Sequence, residues 1–213
     1  TGRPDRTTRG RPNVNDAEAG EVGRVRAVFG EAIALFRRVA DEQGDAIVAA
    51  ASAVHEALSA GHKVLVFGNG GSAADAEHFA AELVGRFGRD VERPALPVLA
   101  LTSDSSVVTS VANDFGFEAV FARQVEAFGV AGDVALAITT SGTSANVNEA
   151  LRWALDRSLR TVALTGGTGG ETGRLADVHV HVPDASAARV QEAQRVVLHL
   201  ICDLVEQRGR AAR

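Results

Sequence analysis

His78 and Glu82 stand four residues apart in the stretch VLVFGNGGSAADAEHFAAELVGRF, residues 64–87. That spacing puts an imidazole and a carboxylate on one face of a helix, and Arg86, four residues on, stays near the same face. These are residue types suited to proton transfer, although an exposed helical pair has the same spacing. Position argues for chemistry, because the helix opens directly from Gly68-Asn69-Gly70-Gly71-Ser72-Ala73, a loop of ligand-binding type. Asp75 and Glu77 are displaced from the His78 face and are expected to meet solvent. Near the far end of the chain, Gln191 and His199 lie eight residues apart in RVQEAQRVVLHLICDLVE. On a helix they are separated by about 12 Å along the axis and about 80° in direction. A histidine amid VVLHLIC is ordinarily a core residue with a satisfied hydrogen bond.

The glycine loop reads formally as G-x-G-x-x-A, the fingerprint of dinucleotide binding. That reading requires an acidic residue about 20 positions on, at the end of a second strand, to bind a ribose. Asp90 and Glu92 lie near that distance but precede Pro94 in a charged loop. A second loop, TTSGTS at 139–144, also follows an apolar strand and opens a helix. Helix N-termini favour anions, and Ser141, Thr143 and Ser144 are good donors for a monophosphate. The plainer alternative is that these hydroxyls only cap the following helix.

These loops need a frame. After residues 1–20, an Arg-containing segment without an apolar core and expected to be a tail, residues 21–61 read as two helices parted near Gly44-Asp45, with Gly61 as C-cap. Five apolar runs follow: KVLVF, LPVLAL, DVALAI, RTVALT and VHVHVP, each leading into helical sequence. Runs that are apolar throughout, alternating with helices, specify a parallel sheet covered on both faces. The expectation is a single α/β domain over residues 21–210, with a two-helix N-terminal extension.

Bulk properties exclude several classes. With 213 residues, a net charge of −5 and 46% hydrophobic residues, the chain is an ordinary globular sequence. No basic excess draws it to nucleic acid, and no apolar run approaches the roughly 20 residues of a bilayer span. One cysteine, Cys202, rules out an internal disulfide and fits a reducing cytoplasm. It reads as a small buried residue, not a nucleophile. Trp153 is expected to pack on a helix face, and His179 and His181 share one face of a strand.

GNGGSAADAEHFAAELVGRF, VANDFGF with Asp104 upstream, TTSGTSANV and RVQEAQRVVLHLICDLVE occur in order and span nearly the whole chain. Together they resemble the phosphoheptose isomerases, which have the sugar isomerase (SIS) fold. The resemblance implies a Rossmann-like three-layer architecture with a five-stranded parallel sheet. It also implies conversion of sedoheptulose 7-phosphate to D-glycero-D-manno-heptose 7-phosphate through an enediol. By the same resemblance Glu82 takes the proton from carbon and His199 serves the oxygens. His78, Glu82, Gln191 and His199 match the zinc-site positions, with one zinc per subunit. A glutamine amide is the least usual of these ligands. Ser141, Thr143 and Ser144 would hold the phosphate. Asn69, Gly70, Gly71, Ser72, Arg86, Asp104, Thr140 and Gln191 would line the substrate site. Homotetramers with sites at subunit interfaces are implied as well. Two positions depart from the family: Gln194 stands where many relatives have histidine, and Ala188 where some are acidic. Two alternatives remain at this level. One is an isomerase of another sugar phosphate. The other is a non-catalytic relative that binds the replication initiator, a branch that lacks residues fit for acid–base work at the positions of Glu82 and His199.

Overall fold

The computed structural model describes residues 14–89 and 92–211, with side chains from residue 20 onward. Residues 1–13 of the expected tail, and Asp90, lie outside the described residues. From Val14 the chain is helical, so the first helix starts within the segment expected as tail.

The strands are β1 (Val64–Gly68), β2 (Val98–Ala100), β3 (Val134–Thr139), β4 (Arg160–Thr165) and β5 (Val178–His181). All pair in parallel, in the order β2-β1-β3-β4-β5. The helices are α1 (Val14–Ser59), α2 (Gly71–Val84), α3 (Ser105–Phe115), α4 (Ala122–Phe128), α5 (Ala145–Asp156), α6 (Gly170–Arg174) and α7 (Ala187–Ala211). Every residue of β1 and β3 is buried, which is why these strands read as unbroken apolar runs. Alternate side chains enter two different cores. Val64, Val66, Leu136, Ile138, Val162 and Leu164 pack against α1, α2 and α7. Leu65, Phe67, Ala135 and Ala137 pack against α4 and α5, with Val108 and Val111 of α3. The three layers and five parallel strands are those expected from the sequence.

The N-terminal extension differs from the expectation. The two helices are one, running 46 residues through Gly44 and Asp45. The cause is the phase of the buried stripe: Ala32, Leu35, Val39, Ile47, Ala50, Val54 and Ala57 are buried on both sides of Gly44, at spacings that stay on one helical face. A mid-helix glycine costs about 1 kcal/mol relative to alanine, less than the burial that this continuous stripe secures. The helix ends as expected at Gly61, whose φ is 84°. There Gly61 N–H donates to Leu58 O and His62 N–H to Ala57 O, the paired bonds of a Schellman motif.

At the amino ends of β1 and β3, away from the ligand edge, Asp133 ties the sheet together. Its buried carboxylate accepts from Lys63 N, Lys63 Nζ and Val130 N. Burial alone would raise this carboxyl's pKa; the bonds from Lys63 and Val130 outweigh it and hold the group below its ordinary value.

Candidate active site

The strand order places a switch point between β1 and β3, since the chain leaves β1 toward β2 and then builds β3 on the opposite side. The crevice beyond their carboxyl ends is where such sheets bind ligands. Both loops singled out in the sequence open there. Gly68 passes so close to β3 that a Cβ would lie 2.5 Å from the Ile138 carbonyl oxygen, so no larger residue fits. The Asn69 and Asn146 amides bond reciprocally, each Nδ2 donating to the other's Oδ1 at 2.8 Å, and join the loops across the crevice. Gly70 precedes α2 without a side-chain cap, and Ser72 is buried in the first turn.

The hydroxyl loop is not a capping device at Ser144. This residue is the N-cap of α5, yet its side chain makes no capping bond. The Ser141 and Ser144 hydroxyls instead each lie 3.4 Å from Thr139 Oγ1. Ser141 Oγ also accepts from Thr143 N and Thr143 Oγ1, both at 3.2 Å. Thr140 is half-buried beside them. Connected hydroxyls at the positive end of a 12-residue helix form a cradle suited to a phosphate.

The other half of the site is the seam between α2 and α7, which run side by side in the same direction. Three rungs cross it. At the first, the Gln191 amide lies on Gly71, where a Cβ would meet Gln191 Nε2 at 2.2 Å. At the second, Arg195 donates from Nε and Nη2 to Asp75 Oδ1, the Nε contact measuring 2.7 Å. Asp75 was expected in solvent but is fully buried. It belongs to the seam because 71, 75, 78 and 82 follow one another at helical spacings of four, three and four. At the third rung His78 Nε2 and His199 Nε2 are 2.9 Å apart, and Glu82 Oε1 is 3.5 Å from His78 Nε2. The Phe87 ring packs against the His199 ring at a tilt of 44°, with centroids 5.6 Å apart.

The structure thus brings His78, Glu82 and His199 together and keeps Gln191 two turns away. His199 titrates below the ordinary histidine value: burial is the main cause, and repulsion between its charged form and the neighbouring His78 and Arg195 adds to it. It is therefore neutral near pH 7, the form that accepts a proton or binds a metal. Among the described residues no group of three His, Cys, Asp or Glu has metal-site spacing. The donor types are nonetheless those of zinc, two imidazole nitrogens with a carboxylate beside them.

The remaining candidates are less central. Arg86 is exposed beyond the end of α2. Asp104 serves as N-cap of α3, accepting from Ser106 N and Val107 N, so a substrate contact would compete with the cap. Glu77 is exposed, as expected. Burial, with Glu82 and Glu206 nearby, pushes the Cys202 thiol far up, which makes it no nucleophile. Trp153 packs against the α5 side of the core. His179 and His181 bond Thr165 Oγ1 and Gly167 O and support the loop after β4.

Residues 29–166 match the SIS domain family. The chain is 50% identical to the phosphoheptose isomerase of Geobacter sulfurreducens over 162 residues, 76% of this chain and 85% of that one. It is 46% identical to the Aquifex aeolicus phosphoheptose isomerase over 184 residues, 86% of this chain and 95% of that one. The solved phosphoheptose isomerase of Neisseria gonorrhoeae superposes with a TM-score of 0.81 at 41% identity, covering 87% of this chain and 98% of that one. The chain belongs to the phosphoheptose isomerase family of SIS-domain proteins.

For a phosphoheptose isomerase family member, the two sequence departures now have places. Gln194 is fully buried, and its Nε2 donates to Thr139 O at the end of β3, linking the hydroxyl loop to α7. Its Oε1 has no protein partner among the described residues. Ala188 lines an open pocket of about 420 Å³ with Asp75, Gln191, Glu192 and Arg195. The dinucleotide alternative loses its acidic residue: Glu92 precedes β2, and Asp104 beyond β2 caps α3. Sequence reasoning missed Asn146, Arg195, Arg93 and Phe87. Their side-chain partners, Asn69, Asp75, Glu206 and His199, are 77 to 120 residues distant in the chain, and no local spacing reveals them.

Proposed function

We propose that this protein is an aldose–ketose isomerase converting sedoheptulose 7-phosphate to D-glycero-D-manno-heptose 7-phosphate. The observation that carries the reading is the meeting of His199, His78 and Glu82 on the α2–α7 seam of a sheet whose switch point holds a phosphate cradle. The names of the relatives support the substrate. The hydroxyls of Ser141, Thr143 and Ser144 and the N-terminus of α5 hold the phosphate. Asn69, Gly70, Gly71, Ser72, Thr140 and Gln191 line the path, with Arg86 and Asp104 at its rim. Glu82 removes the proton from C1 of the ketose and, with a side chain 26% exposed that exchanges this proton with solvent, delivers a proton to C2. Neutral His199 passes a proton between the oxygens on C2 and C1, so the enediol forms and collapses without a free charge building on either oxygen. His78 orients His199 through the Nε2 contact.

Zinc, one per subunit, belongs to the proposal on donor chemistry. His78, Glu82 and His199 would hold it, and Gln191 of the same chain is turned to Gly71. The metal would polarise the oxygens of the enediol or order the three side chains. The cytoplasm is the compartment that the single buried thiol fits. No helix among the described residues is long and apolar enough to cross a membrane.

Assembly as a homotetramer, with sites walled by neighbouring subunits, completes the reading. Val22, Val25, Phe29 and Ile33 are all at least half exposed and form one apolar stripe on α1. Val196 and Leu200, exposed on α7, flank His199 in sequence. A contiguous apolar face of this kind marks an association surface. Purified protein is expected to sediment as a tetramer, and Phe29→Asp with Ile33→Asp as a smaller species of reduced activity. A fully active wild-type monomer contradicts the assembly.

A further inference from the structure

We propose that Glu206 and Arg93 are positioning residues that clamp both halves of the catalytic pair; the catalytic part of this inference rests on the isomerase reading above. Glu206 lies two turns beyond His199 on α7, and its side chain is 3% exposed. Its carboxylate is fully engaged by the loop that follows α2. Oε1 accepts from Phe87 N at 3.0 Å and Arg93 Nε at 2.8 Å, and Oε2 accepts from Gly88 N at 3.0 Å. Burial opposes the charged form, but these donors win and keep the carboxyl below its ordinary value.

Arg93, 8% exposed, uses the rest of its guanidinium on the carboxyl end of α2. Nη2 donates to Glu82 O at 3.0 Å, and Nη1 to Leu83 O at 2.7 Å and Pro94 O at 3.1 Å. One buried ion pair therefore grips the backbone of Glu82 itself and fixes the segment that lays Phe87 on the His199 ring. None of these groups touches the reacting atoms. A helix end is where a side chain wanders most, because its last carbonyls lack intrahelical partners. The clamp supplies those partners at the end that carries the base. It also holds the Phe87 ring against His199, with centroids 5.6 Å apart.

The test compares Glu206→Gln, Arg93→Lys and Phe87→Leu with wild type and with Asp133→Asn, which removes a buried charge at the far edge of the sheet. In the three clamp variants kcat is expected to fall by roughly 10–100-fold, the scale of a misplacement of about 1 Å, with KM within about twofold. Asp133→Asn should lower thermal stability without that kcat loss. Phe87→Leu alters no charge, so it remains folded even if Glu206→Gln does not. A second readout needs no turnover. The His199 ring protons, assigned by their loss in His199→Asn, should carry a ring-current shift that diminishes in Phe87→Leu and in Arg93→Lys. Unchanged kcat in folded clamp variants of an active enzyme overturns the catalytic role. His199 resonances that stay in place overturn the clamp, whatever the substrate proves to be. An inactive wild type with shifted resonances removes the isomerase reading and leaves the clamp standing.

Discussion

Glu82→Gln and His199→Asn are each expected to lower kcat with sedoheptulose 7-phosphate by about 10²–10⁴-fold, the range for removing a general acid or base. The fold should survive both changes, because the side chains are only partly buried at the seam and lie outside the apolar core. Glu82→Gln keeps the shape and polarity of the residue while removing its basicity. His199→Asn keeps an amide nitrogen near His78 but ends proton transfer. The pH profile carries a further expectation. His199 must be neutral, and burial together with repulsion from the neighbouring His78 and Arg195 lowers its pKa. Activity is then retained as pH falls through 6.5, and the acidic limb of kcat/KM lies below the ordinary histidine value. Wild-type turnover in either variant, or an acidic limb above 6.5 assigned to His199, contradicts the roles given to these residues.

Replacing Ser141 and Ser144 together by alanine is expected to act on binding. Hydrogen bonds to a charged group are worth about 1.5–3 kcal/mol each, so each hydroxyl accounts for roughly tenfold or more in KM. The double variant should show KM raised by about 100-fold or more, with kcat changed far less, and weaker competitive inhibition by inorganic phosphate. Thermal stability should hardly move, because Ser144 makes no side-chain cap to lose. A large fall in melting temperature with unchanged KM would restore the capping explanation.

The fold was legible because burial of both sheet faces writes each strand as a short apolar run, and helical periodicity marks what lies between. The helix break near Gly44 was misread for a physical reason. Glycine is a local signal, whereas the stripe from Leu35 to Ala57 is held in phase by α7 and β5. At the site, His78 with Glu82 was visible because four residues make one helical turn. Asp75 was misplaced because the seam with α7 is wider than the His78–Glu82 face, and only the partner helix reveals that. The long separation of Gln191 and His199 along α7 was also legible, and the structure honours it: they occupy different rungs. The Asn69–Asn146 bridge and the Arg93–Glu206 pair depend on tertiary contact alone.

The central claim is proton transfer through an enediol on a heptose phosphate. It is tested most directly by following sedoheptulose 7-phosphate with purified protein in D2O by NMR. The expected result is an aldose 7-phosphate with solvent deuterium at C2, formed by wild type and not by Glu82→Gln. No aldose from this ketose, while a C5 or C6 ketose phosphate is turned over, contradicts the substrate; aldose formed without deuterium at C2 contradicts the exchange through Glu82; and no turnover of any ketose phosphate contradicts the enzyme.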